Sequence, residues 1–117
     1  MTMTKVGITD VATLINTKYD YVAIGEGAAP TADSTTLASE AMRVQSVQAV
    51  IDQGSVGYNN CSQQTATFNI TASSLALTNS AVFDVDTAGV MLCGQGFSAI
   101  NVVNGDTFIA VWKEVVS

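Results

Sequence analysis

The sequence predicts a mainly β domain, a single antiparallel β-sandwich or small barrel with a short N-terminal helix. Three observations carry that reading. The segment "QTATFNITA" alternates, with Ala66, Phe68 and Ile70 on one face and Thr65, Thr67, Asn69 and Thr71 on the other. A period of two with one polar face marks a half-solvated antiparallel strand. Asn104-Gly105 stands between two apolar runs, "FSAINVV" and "TFIAVWKEVV", which is the strongest short hairpin signal. Five or more strand-like runs recur at a spacing of roughly 8–12 residues, as in sandwiches and small barrels.

The elements follow in chain order. "ITDVATLINTKYD" reads as a helix capped by Thr9 or Asp10, with Val11, Leu14 and Ile15 on one face. Residues 1–18 form an N-terminal helical arm that plugs one end or one face of the sheets, within a single domain spanning 1–117. "DYVAIGEG" is a strand ending at Gly25 and Gly27, and "AAPTADSTT" is loop. "LASEAMR" suits a single helical turn. Residues 41–52 form one long valine-rich strand, and 53–62 a turn-rich connection. "SAVFDV" and "VMLCGQ" flank "DTAG", a hairpin turn with Gly89 available for positive φ. The last strand alternates Phe108, Ala110 and Trp112 against Ile109, Val111 and Lys113. The expected core is Phe68, Ile70, Phe83, Leu92, Phe97, Ile100, Val111 and Trp112.

Composition narrows the function classes. The chain has 117 residues, the size of one domain. Charged residues are 12% of it, about half the usual ~25%. A neutral polar surface of this kind favours association. The net charge is −6, with four basic residues that form no cluster, which speaks against nucleic acid as a partner. No histidine is present, which removes the commonest general base and metal ligand. No segment approaches the ~20 apolar residues of a membrane span, and the N-terminus lacks the apolar run of a signal peptide. Cys61 and Cys93 are expected as free thiols packed like small hydrophobes.

No motif completes a reactive site. Gly25-Glu26-Gly27 lacks the third glycine of a dinucleotide loop, and Glu26 would repel phosphate. "DVDTAG" (84–89) begins like a calcium loop, but its further oxygen ligands are missing, so a hairpin turn with exposed carboxylates is expected. Neither cysteine has a histidine partner for nucleophilic catalysis. The expectation is therefore a non-enzyme with no catalytic residues, no cofactor and no metal.

One resemblance adds to this reading. "YVAIGEGAAPTADSTTLASE", followed by Arg43, resembles the opening of small structural proteins of tailed-bacteriophage virions. Those openings run Tyr-x-Ala-x-Gly-x-Gly, two small residues, Pro or Ala, two further residues, then Asp-Thr-x-Leu-x-x-Glu and a later arginine. "AVFDVDTAGVMLCGQGFSAINVVNGDTFIAVWKEV" resembles their ending, and together the two stretches cover roughly residues 19–116. Where relatives carry an acidic residue before a Gly-Leu-Phe-like triplet, this chain has "TNSAVF". The resemblance implies a capsid decoration (cement) protein on the virion surface, made in the host cytoplasm. Its partner would be the major capsid protein or another virion protein, with the chain as a homo-oligomer. The alternative readings are a tail, baseplate or fibre-attachment subunit, and a small glycan- or cation-binding β-sandwich. The neutral loop is the expected contact, through Gly25, Gly27, Ala29, Pro30, Thr31 and Thr36.

Overall fold

A computed structural model describes all 117 residues. The elements are α1 (Lys5–Lys18), β1 (Tyr21–Gly25), β2 (Glu40–Gln45), β3 (Val47–Ile51), β4 (Cys61–Asn69), β5 (Ser74–Phe83), β6 (Met91–Val103) and β7 (Thr107–Val115). They form two antiparallel sheets, ordered β2-β1-β5-β6 and β3-β4-β7. The fold is the sandwich expected from the strand pattern.

The core lies between the sheets. Val22, Ile24, Leu77, Val82 and Val102 of the four-stranded sheet meet Ala66 and Phe68 of β4, with Ile70 just beyond it. Each fully buried large side chain contributes about 1.5–3 kcal/mol. The alternation in β4 holds as expected: Ala66, Phe68 and Ile70 are buried while Thr67 and Asn69 are exposed.

Five expectations are corrected. The helix begins earlier, at Lys5, because Thr4 caps it by accepting the Gly7 N–H at 3.0 Å. Its buried residues are Ile8, Ala12 and Asn16, and Leu14 is exposed. Asn16 tolerates burial because its amide donates to Ser62 Oγ, Ala49 O and Gln63 O. By strand alternation Ser62 shares its face of β4 with Ala66 and Phe68, so α1 closes one end of the space between the sheets.

The segment 37–43 makes no helical turn. Ser39 sits at φ 51, and β2 starts at Glu40 to pair with β1. Nor is 41–52 one strand. Ser46 divides it, and the two halves join different sheets. Ser46 is pinned there by its N–H, which donates to Asp20 O at 2.8 Å.

The Asn104-Gly105 turn forms, with Gly105 at φ 94, but it is not a hairpin. β6 pairs with β5 and β7 with β4, so the turn carries the chain from one sheet to the other. Ile70 anchors the corner: its carbonyl accepts the Gly105 N–H and its N–H donates to Asp106 O, both at 2.9 Å. The other turn, 84–90, does join hairpin partners β5 and β6, with Gly89 at φ 79.

Within the expected core, Phe68, Ile70 and Phe83 are buried. Leu92, Phe97 and Trp112 are half-buried, and Ile100 and Val111 are exposed. Ile100 shares the inner face of β6 with buried Val102 but lies on an edge strand, where side chains lack neighbours on one flank. Val111 instead points outward, opposite to Ala110 and Trp112, by strand alternation.

Candidate interaction surface

The two outer faces of the sandwich differ. On the four-stranded sheet, Ala23, Ala81 and Gly94 stand in one cross-strand row, and Gly25, Asn79 and Gly96 in the next. These small residues make a floor on which the 26–39 loop lies. Leu37 of the loop is buried with Ala23, Ala81 and Phe83, forming a second small core outside the sheet.

The loop sits on bare backbone. A Cβ at Gly94 would fall 2.5 Å from Pro30 Cγ, and one at Gly96 would overlap Ala29 Cβ. Gly25 and Gly27 are needed for a related reason: a Cβ on Gly25 would fall 2.8 Å from Ser39 O, and one on Gly27 would overlap Ala38. Neither is at positive φ, so close approach rather than a sharp turn explains them. Asn79 ties the loop shut, donating from one amide nitrogen to Ala28 O at 3.0 Å and Ala38 O at 2.9 Å. The Glu26 carboxylate accepts the Ala76 N–H at 3.0 Å.

Of the six residues expected at the contact, Gly25, Gly27 and Pro30 pack into the chain's own fold, while Ala29, which rests on Gly96, is exposed on the loop together with Thr31 and Thr36. Asn79, in the run "TNSAVF", carries no sequence signal for its role beyond being a polar residue in an apolar stretch.

Arg43 fastens the same side. Its guanidinium forks onto Glu40, with the shorter contact at 2.6 Å, and donates to Val85 O and Ala88 O of the 84–90 turn. It lies 3.6 Å above the Phe83 ring centroid. Asp84 closes that turn by accepting the Val90 N–H at 2.8 Å, so its carboxylate is spent on backbone. No group of three or more histidine, cysteine, aspartate or glutamate side chains comes together to hold a metal.

The outer face of the three-stranded sheet carries no such cover. Val47 of β3, Thr65 of β4 and Val111 of β7 form one row across it, and Thr67 and Ile109 form the next. Val47 is 76% exposed, Ile109 58%, Val111 54% and Val115 54%. Lys113 lies on the same face of β7 by alternation. A contiguous apolar stripe open to water marks an interaction site more often than a scatter of single residues does.

Between the free edges of β6 and β7 the sandwich is open. A cleft of about 240 Å³ is lined by Phe97, Phe108, Ala110 and Trp112, with Ser80 and Gln95 at its polar end. The Trp112 indole N–H donates to Ser80 Oγ at 3.0 Å.

Deeper along β7, Glu114 lies in the interior. Gln64 Nε2 donates to its carboxylate at 2.5 Å, while Glu114 Oε2 and Gln64 Oε1 are buried without partners. Burial raises the Glu114 carboxyl above its ordinary range, partly offset by hydrogen bonds from Gln64 and Ser62. Cys61 and Cys93 are free thiols. Burial and then the Glu114 charge push the Cys93 thiol up to about 12, and the same two causes, in that order, raise Cys61. Such thiols are poor nucleophiles, since the thiolate is the reactive form.

No model of a known protein family matches the chain, and no curated protein matches it. No helix is long and apolar enough to cross a membrane.

Proposed function

We propose that this chain is a non-enzymatic structural protein of a virion, a capsid decoration protein that binds and stabilises the major capsid lattice. The observation that carries the reading is the asymmetry of the two outer faces. One is roofed by the chain's own loop. The other presents Val47, Ile109, Val111 and Val115 beside neutral threonines, with Lys113 as its charged member. A face of that composition loses little on desolvation, because few charges must be stripped of water. Repeated over a lattice, many modest contacts of this kind sum through multivalency. The resemblance of residues 19–116 to virion structural proteins supplies the partner.

Particles depleted of the protein should still assemble and should lose resistance to heat. Adding the purified protein back should restore it, since a ligand that binds only the intact lattice stabilises it by mass action. Val47→Glu and Thr67→Arg, on β3 and β4, should abolish rescue without unfolding the domain. Depleted particles that keep full stability but lose tails or adsorption would replace the capsid reading with the tail, baseplate or fibre one.

A further inference from the structure

We infer that two copies of this chain pair through the free edge of β7, antiparallel about a two-fold axis at Val111, to make one continuous six-stranded sheet. β7 is bonded to β4 on one side only. All nine of its residues pair with β4 without a register shift, so the strand is regular along its length. Natural edge strands are normally blunted by proline, a bulge, short length or charges. β6, the other long edge, is interrupted: its pairing with β5 shifts register twice. β7 has neither proline nor bulge, and Lys113 is its one outward-facing charge.

Charge and size choose both the occupant and the register. With the axis at Val111, each Lys113 lies opposite Ile109 of the other copy, so no like charges meet. On the inner face Trp112 lies opposite Ala110, a large half-buried ring beside a small side chain. Moving the axis to Ala110 would pair only residues 107–113 and leave Glu114 and Val115 beyond the partner's strand, whereas the axis at Val111 pairs all of β7. Moving it to Trp112 would oppose two indoles. The strand is thus complementary to itself in one register, as a two-fold interface requires. The pairing satisfies backbone groups that otherwise face water and extends the bare apolar face across both copies. It rests on the β7 edge and not on the virion reading, and either can fail alone.

The test is the solution mass of the full chain by light scattering, with three variants. The wild type should give twice the 12.1 kDa chain mass. Val111→Glu places two carboxylates together at the axis and should return the mass to one chain, with the strand content by circular dichroism retained and a thermal midpoint that no longer rises with protein concentration. Ile109→Asp faces Lys113 of the other copy and should keep the dimer, with a dissociation constant lowered several-fold at low salt. Val111→Cys should form an intermolecular 111–111 disulfide, identified by peptide mass. A monomeric wild type overturns the inference, and so does a dimer that survives Val111→Glu and yields no 111–111 link. A wild-type monomer that dimerises only with a strand from another protein overturns it too.

Discussion

Pro30 rests on Gly94, close enough that a Cβ on the glycine would fall 2.5 Å from the proline Cγ and 2.8 Å from its Cβ. The contact is the seat of the 26–39 loop. Proline limits the loop's freedom before docking, and glycine removes the side chain that would hold it away. Gly94→Val should lift the loop, at a cost of about 1–3 kcal/mol by overpacking. Chemical denaturation measures the loss, and faster proteolysis between residues 26 and 39 would locate it. An unchanged midpoint would mean the loop is not seated there.

Arg43 serves as a many-point fastener that lysine cannot imitate. It binds Glu40 with a fork, reaches two carbonyls of the 84–90 turn and stacks on Phe83. Lysine keeps the charge but loses the planar fork and the stacking surface. Arg43→Lys should cost about 1–3 kcal/mol, on the scale of hydrogen bonds to a charged group. A thermal midpoint within error of the wild type would reduce the cluster to a surface ion pair.

Glu114 should make stability depend on pH. Its carboxyl is raised in the folded state, mainly by burial. Between the unfolded and the raised folded pKa the native chain holds more protons than the unfolded chain, so stability falls as pH rises through that window. Below the window the contribution is fully present, and above it is lost. Glu114→Gln keeps the acceptor for Gln64 and removes the ionisation, so it should flatten this part of the profile. Denaturant unfolding across the acid-to-neutral range reads the slope, and identical slopes for both proteins would refute the assignment.

Both thiols should resist alkylation in the native protein at neutral pH. The Cys93 thiol is pushed up to about 12, and Cys61 is raised and buried. Iodoacetamide followed by mass spectrometry should show no label on the native chain and two after denaturation. Rapid single labelling of the native chain at Cys93 would show that the β6 edge opens.

Trp112 should cost less to truncate than a core tryptophan. It is half-buried beside the cleft and bonds Ser80. Trp112→Ala should lose about 2–3 kcal/mol, below the ~3–5 kcal/mol of a fully packed aromatic. A loss above that range would show that the cleft is closed in solution.

What the sequence determined by itself was local. The β4 alternation is written into Ala66, Phe68 and Ile70, because successive side chains on a strand point to opposite faces. The turns at Gly89 and Gly105 were legible because positive φ favours glycine. Pairing partners are not local. Asn104-Gly105 specifies a reversal of the chain equally well within one sheet or between two, and the Ile70 carbonyl and N–H, distant in sequence, settle it as a crossing. Ser46 splits a continuous valine-rich run because Asp20 holds it. Ile100 looks like a core residue by pattern, yet it lies on an edge strand, where burial depends on what stands alongside. Val111 and Trp112 could not both face the core, because neighbours on a strand point to opposite faces. The same holds for the candidate surface. The small residues of "GEGAAP" were visible, but that Ala29 and Pro30 rest on Gly96 and Gly94 follows from contacts between distant parts of the chain. The bare face of β3, β4 and β7 exists only because no loop crosses it, and that is decided by packing of the whole chain.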